Sequence, residues 1–356
     1  MSGFKIYTVA DSEGWENALA SLDARHKDIY FTPQYHKIFE NLGDGKACCF
    51  VFTNDKDVYI KPYLLNSIKS LGLRLDEEYY DIQSVYGYCG PIVTTHDEQF
   101  LSTAQRAFQQ FCISENIIAE FTRFHPFFNN HQLETTAKVV LDRETVAVNL
   151  NAGYERIWKS EYSVNARNMI RKAQKLMYRC DFVKSPSPEQ INTFAELYSM
   201  NMAKVAASKY YLFNNQFFHD TFLFLEENVV LVNIVNDQEV TVASTILLLN
   251  KPYLHYHLSA RIPTVDNSVN SYLLDSIVQY GISNSYEYLH LGGGRTAAPD
   301  DSLLKFKKNF SKVTGNFYIG KKINIPLVYS AVVESWEQKY PEKKSLNKNV
   351  LLKYRM

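Results

Sequence analysis

The chain has 356 residues, 46% hydrophobic and 21% charged, an ordinary globular balance that excludes disorder, collagen and long coiled coil. Lys+Arg and Asp+Glu are both 38, so no global basic field advertises a nucleic acid and no acidic field calls for basic partners. At roughly 100–200 residues per domain, the length suits two domains, each with its own core.

The predicted elements alternate along the whole chain. Phe4–Val9 reads as a strand and Ser12–Ala24 as a helix with Ser12 at its N-cap. Thr32-Pro33 opens a second helix that runs to Leu42, with proline at the first helical position. Cys48–Thr53 and Val58–Leu65 read as a strand pair turned by Asn54-Asp55-Lys56-Asp57, and Pro62 predicts an edge or a bulge in the second. Tyr86–Val93 is extended, His96–Glu115 is a long helix, Ile117–Phe121 is a strand, and Val146–Leu150 closes the first half. In the second half Tyr154–Lys159, Val164–Tyr178, Pro188–Lys204 (capped by Ser187) and Phe217–Glu226 read as helices. Strands follow at Val229–Val235, Val240–Leu249 and Pro252–Ser259, then a helix at Ser268–Ser283 and a strand at Tyr288–Leu291. A short helix at Asp301–Asn309, a strand at Thr314–Ile319, a helix at Pro326–Lys339 and a basic tail with Lys343, Lys344, Lys348, Lys353 and Arg355 end the chain. This order predicts an α+β architecture with mixed sheets.

The five cysteines (Cys48, Cys49, Cys89, Cys112 and Cys180) are odd in number and form no C-x-x-C, which fits free thiols in a reducing cytoplasm. The opening residues carry no basic stretch followed by an apolar one, so no signal peptide is expected. The longest apolar run, near Val242–Leu249, is far short of the ~20 residues needed to span a bilayer. The 25 Tyr and 22 Phe are unusual. They suit large cores with tyrosines at their rims, or the walls of a sugar or peptide groove.

Phosphate-loop, dinucleotide, zincin and serine-hydrolase signatures are absent from the sequence. His255 and His257, at period two, would share one face of a strand. No nearby carboxylate or cysteine completes a metal set with them, so no metal is expected. Four segments carry information. Tyr86-Gly87-Tyr88-Cys89-Gly90-Pro91 fixes a special backbone path, either a bulged turn or a cleft wall with Tyr86 and Tyr88 projecting. Glu120–Pro126 delivers Arg123 and His125 to one side, to pair internally or to meet an anionic acceptor. In the helix after Ser163, Arg167, Arg171 and Lys175 share an i, i+4, i+8 face, either solvated or a ridge for pyrophosphate or RNA backbone. Finally, a strand runs into Gly292-Gly293-Gly294-Arg295, ahead of a helix with Lys305, Lys307 and Lys308. Three glycines allow close approach of backbone, and their N–H groups would form an anion nest.

With these segments the chain resembles the Fem family of peptidoglycan interpeptide-bridge aminoacyltransferases and, more broadly, the GNAT-fold acyltransferases grouped with them. The marks are the basic helix after Trp158, the His255–Ala260 strand, Leu291–Gly294, and the Leu303–Phe310 helix followed by Phe317-Tyr318-Ile319-Gly320-Lys321. Tyr86–Pro91 and Glu120–Pro126 resemble first-domain motifs of the group. The resemblance implies two tandem GNAT-like (acyl-CoA N-acyltransferase) domains, 1–150 with the C-terminal helix 324–356 packed back on it, and 151–323. It implies transfer of an acyl or aminoacyl group, from acyl-CoA or aminoacyl-tRNA, to a free amine of a cell-wall or glycan precursor. The family's Phe-Lys pair falls on Phe306 and Lys307, the lysine associated with the donor and the developing charge. Two departures stand out: the long helical hairpin of some Fem proteins is absent, and the GNAT pyrophosphate loop R-x-x-G-x-G/A is replaced by Arg261-Ile262-Pro263.

The expected mechanism is attack of a neutral amine on an ester or thioester carbonyl, with positioning and a fixed cation lowering the barrier. Lys307 is that cation, Phe306 shapes the site, and His257 or His290 accepts the amine proton. Tyr86, Tyr88, Arg123, His125, Arg167, Arg171, Gly292, Gly293, Gly294, Arg295 and Lys305 are expected to bind donor or acceptor. Two alternatives stay open: a catalytically silent GNAT-fold protein that binds a glycan, peptide or nucleotide-sugar, and an acyl-CoA transferase acting on amino sugars.

Overall fold

Strands form where β-branched and aromatic residues run together, and helices where a capping residue precedes an apolar stripe. The computed structural model describes residues 3–73, 75, 77–205, 211–344 and 349–356. Its strands are β1 Gly3–Thr8, β2 Lys46–Thr53, β3 Val58–Ser67, β4 Tyr80–Gln83, β5 Ile92–Val93, β6 Ile117–Arg123, β7 Lys138–Asn149, β8 Arg179–Val183, β9 Val229–Val235, β10 Thr241–Asn250, β11 Tyr253–Arg261, β12 Tyr288–Gly293 and β13 Val313–Ile323. The chain divides into two units: residues 1–142 with 317–356, and residues 143–316. The first therefore ends at Asp142, not at residue 150, and it takes up the chain again at Phe317, not at 324.

In the first unit the strands run in the order β1-β2-β3-β4-β6-β13, with β5 also on β3. The turn at Asn54–Asp57 is as expected: the Asn54 side chain accepts from the Lys56 and Asp57 amides. Pro62 marks no edge. β3 pairs β2 along its length and, on its other side, β5 at Tyr59 and Ile60 and β4 from Leu64 to Ser67. Proline falls in the gap between those two partners, where the missing N–H costs no ladder bond. Ser12 begins its helix rather than capping it, because Asp11 holds the cap position. The helix Pro33–Leu42 starts as expected, with Thr32 accepting from the Tyr35 amide. Of the extended stretch 86–93 only Ile92–Val93 is strand.

One core of this unit joins Phe50, Phe52, Tyr59 and Tyr63 to Phe100 and Phe108 of the helix Glu98–Ser114. Much of the aromatic content thus serves packing. Inside the sheet Lys61 ion-pairs with Glu120 and with Glu134 (2.9 Å), all three buried, and its ammonium lies 4.3 Å from the Phe108 ring centre. A second core sets Val332 and Trp336 of the helix Pro326–Lys339, with Leu351, Leu352 and Tyr354, against Ile68 and Ile118. The basic tail is pinned here. Arg355 Nε donates to both oxygens of fully buried Asp81 at 2.8 Å, and Nη2 reaches the Asn66 and Ser67 carbonyls. Lys353 holds Glu337; Lys348 lies outside the described residues.

His36, fully buried edge-on to Trp15, gives the fold a pH dependence. Burial pushes its imidazole down to about 4, although its Nδ1 lies 3.0 Å from the Thr32 carbonyl. The native state resists a proton that the unfolded chain accepts near pH 6.5. Stability is therefore complete above that pH and falls by about 3 kcal/mol between pH 6.5 and 4. Denaturant titrations at stepped pH should show that slope, and His36→Gln should flatten it.

In the second unit the order is β7-β12-β11-β10-β9-β8. Val146–Leu150 does not close the first half; from Arg143 on, β7 belongs here and pairs with β12. The helices Val164–Gln174 and Ser268–Ser283 bury Ile170, Leu273 and Ile277 against Val230, Val232, Leu254 and Leu289. A capping box at Ser187 and Gln190 starts the helix Pro188–Lys204. No helix among the described residues is long and apolar enough to cross a membrane.

Candidate functional site

Strands β11 and β12 run parallel but pair at only three positions, the last being His255 opposite His290. Beyond it β11 follows β10 to Arg261 and β12 follows β7 to Gly293. The cause is local. Each strand gains one extra residue just past that point, His257 against β10 and Leu291 against β7. A bulge bends and twists its strand, so two of them end the parallel pairing and open a wedge in the sheet. The bulge at His257 also interrupts the simple period-two face expected for His255 and His257.

The glycine run lies on the β12 side of this wedge. A side chain at these glycines would meet a close neighbour or a strained backbone. Gly292 has φ +75°, and a Cβ there would lie 3.4 Å from Lys307 Nζ. A Cβ on Gly293 would meet the Glu144 carbonyl at 2.9 Å, and one on Gly294 the Asp301 carboxylate at 2.5 Å. Asp301 caps the helix Ser302–Lys308 by accepting from the Leu303 and Leu304 amides. The turn so fixed brings Lys307 back to the run, where Nζ donates to the Gly293 carbonyl at 2.7 Å. Lys307 is buried, and burial pushes its amine down to about 7, with Asp301 opposing the shift. Phe306 is half-buried, edge-on to Phe310. Lys305 and Lys308 face outward, Lys308 onto Glu144 at 2.8 Å. Exposed Arg295 reaches the Ser302 hydroxyl.

The histidines are unequal. Buried His255 and His290 approach Nδ1 to Nδ1 at 3.3 Å. Burial, with His255 beside it, lowers His257 to about 3. A base that weak is poorly matched to taking a proton at neutral pH. No group of three or more His, Cys, Asp or Glu suited to a metal exists among the described residues.

No family model and no curated protein matches the sequence. Among solved structures, FemX is similar with a TM-score of 0.70 at 11% identity, over 92% of this chain and 99% of that one. The C-terminal domain of a protein assigned as a lysylphosphatidylglycerol synthetase from Agrobacterium fabrum gives 0.55 at 12% identity, over 89% and 95%. A tandem GNAT protein from the clavulanic acid biosynthesis pathway gives 0.51 at 7% identity, over 91% and 99%. The chain has the Fem-like tandem GNAT fold. At these identities the likeness is one of fold.

Several residues expected to bind ligand have structural duties in the GNAT domains. In the second, Arg167 donates to the Trp158 and Tyr162 carbonyls at 3.0 and 2.6 Å, which removes it from a ridge with Arg171 and Lys175. Arg171 lies over the Trp158 ring and contacts Asn168. In the first GNAT domain, His125 is buried with Nε2 2.9 Å from Asp28 and its ring over Phe128, so it presents no cation to an acceptor. Arg123 packs over Phe121 and donates to the Ser84 carbonyl. Tyr88 is half-buried among Tyr30, His125 and Phe317, and Tyr86 stacks on Phe39 while its carbonyl accepts from Tyr35. Gly87 and Gly90, both at positive φ, pass tightly under Tyr30 and Phe124.

Sequence reasoning missed His255 as the partner of His290, because parallel register between distant strands leaves no local signal. It also missed Asp275, fully buried on the helix Ser268–Ser283, which accepts from the Tyr154 hydroxyl at 3.0 Å and from Gln279 at 2.9 Å. Burial raises its pKa, against these hydrogen bonds. An aspartate on the apolar stripe of a predicted helix was the available signal.

Proposed function

We propose that the chain is an acyl- or aminoacyltransferase that forms an amide on the free amine of a cell-wall or polysaccharide precursor, at the wedge of the second GNAT domain. One observation carries the reading: a lysine buried against the glycine run with no ion-pair partner among the described residues, at the point where β11 and β12 part. Packing alone has no use for such an amine, since burying it without a counter-charge costs stability. The fold shared with FemX, with a domain assigned as a lysylphosphatidylglycerol synthetase and with a tandem GNAT protein supports acyl or aminoacyl transfer.

The loop after β11 bears on the choice of donor. Arg261 is spent on the Ile262 and Val265 carbonyls and on Asn267. Asp266 accepts from the Ser268 amide and holds Lys172 at 2.7 Å, and Lys172 keeps its carboxyl far below the usual range. The amino end of the helix Ser268–Ser283 is therefore already occupied by an internal ion pair, which an incoming diphosphate would have to displace. This favours an aminoacyl ester, as in aminoacyl-tRNA, over a CoA thioester. Calorimetry with CoA and acetyl-CoA is expected to show no micromolar binding. Label on the amino acid of charged tRNA is expected to pass to an amine-bearing cell-wall precursor. Transfer from acetyl-CoA would reverse the choice of donor, and no transfer from any donor would end the transferase reading.

A further inference from the structure

Two strands are paired on one side only: β1, with β2, in the first unit and β8, with β9, in the second. The N–H and C=O groups along such an edge are a template for another strand, and folded proteins guard them with charge, proline or a bulge. β8 is guarded. Its Arg179 pairs with Asp181 of the same strand at 2.9 Å and with Glu239 at 2.8 Å, which lays charge along that edge.

β1 is not. It has no proline, it pairs with β2 from Gly3 to Thr8 without a bulge, and its single charge is exposed Lys5. Among the described residues no hydrogen bond reaches its outer side, and a Cβ on Gly3 would have nothing within 4 Å. Phe4 and Ile6 lie on the face covered by the helix Glu98–Ser114, where Phe4 stacks on Phe50 and meets Phe111 edge-on. Phe4 nevertheless stays 44% exposed, and Ile113 of that helix 48%. Lys5 and Tyr7 lie on the other face, where Gly14 of the helix Ser12–Ala20 is so close to the Tyr7 ring that a Cβ would overlap it. That helix carries Glu13 and Glu16 and neither lysine nor arginine.

We infer that β1 pairs antiparallel with β1 of a second copy of this chain, about a two-fold axis through Ile6. The strand's own pattern selects this occupant. Residues opposite each other in an antiparallel pair put their side chains on the same face, so a symmetric pairing that continues both faces is centred on a residue. Centred on Lys5, it opposes two lysines, which is destabilising. Centres nearer either end of the strand leave fewer residues paired. Centred on Ile6, it sets Ile6 against Ile6, Phe4 against Thr8 and Lys5 against Tyr7, and no like charges are opposed. The apolar face around Phe4 and Ile113 is then extended by its own copy. Lys5 of each copy enters the face where the other carries Glu13 and Glu16, so the contact is complementary in charge and the same patch serves both sides.

Sedimentation of the full chain at tens of micromolar should give twice the mass of one chain. Lys5→Glu alters an exposed side chain and sets an acid against Glu13 and Glu16, so it should raise the dimer dissociation constant about tenfold or more. A second measurement reads the register and does not depend on that affinity. Under copper-phenanthroline oxidation Ile6→Cys should close a disulfide across the axis, and Lys5→Cys should not, because residue 5 faces itself only in the register that opposes two lysines. The wild type is the control, with Cys48, Cys49, Cys89 and Cys112 buried. A wild type that is monomeric at every concentration overturns the inference and leaves the edge to a partner other than this chain. A dimer that tolerates Lys5→Glu, or that forms no disulfide through Ile6→Cys, also overturns it and puts the contact elsewhere.

Discussion

Lys307→Met is expected to lower turnover by roughly 10²–10⁴-fold, the span usual for loss of a positioned acid–base group. The protein should stay folded. Methionine nearly matches the lysine stem in length and volume, and the side chain is already buried. The one hydrogen bond lost is that to the Gly293 carbonyl, worth about 1 kcal/mol. Removing a buried amine with no ion pair among the described residues returns a comparable amount. Thermal unfolding should therefore agree with wild type within a few degrees. Turnover within threefold of wild type would take Lys307 out of the chemistry.

The largest effect on stability is expected at Lys61. Lys61→Met leaves Glu120 and Glu134 buried, with Lys322 opposite Glu120 on β13 as a nearby cation. Burial alone raises a carboxyl pKa, but Lys61 outweighs it and holds Glu134 below the usual range. Without the lysine that balance reverses. Breaking a buried ion pair from one side costs about 3–5 kcal/mol. Urea unfolding should show this loss at pH 7, and less of it at acid pH, where the carboxylates take up protons. Replacing Lys61, Glu120 and Glu134 together by Met, Gln and Gln should recover most of it. A single mutant as stable as wild type would show that water reaches the cluster.

Local chemistry was legible in the sequence, and long-range register was not. Thr32-Pro33, Ser187-Pro188 and the run Asn54–Asp57 write their caps and turn within a few residues, and the structure places elements there with end points close to expectation. The glycine run stood out by composition, and Lys307 was singled out by the resemblance of Phe306-Lys307 to the family's Phe-Lys pair. The bulge at His257, the His255–His290 pair and the duties of Arg167 and His125 were invisible. Each depends on a partner brought in by another strand or by backbone carbonyls, which have no sequence identity. β4 and β8 escaped notice because Tyr80–Gln83 and Arg179–Val183 are short and carry charge. The cations at 167, 171 and 175 show the limit of helical spacing: it places side chains on one face but cannot tell a free guanidinium from one bound to a carbonyl.

The first unit is assembled from both ends of the chain, and this sets an order of events during synthesis. Residues 143–316 are synthesised complete before the last segment is added, and nothing in their own core waits for it. The first unit has to wait. Its β6 lacks β13, and Asp81 lacks Arg355, until the end of the chain emerges. For that interval a buried carboxylate and the apolar face that takes Trp336 stand uncovered, and contacts spanning more than 270 residues close late. A premature stop between residues 316 and 336 would therefore release a finished second domain tethered to a first one that lacks Trp336 and Arg355, a species that chaperones and proteases can recognise.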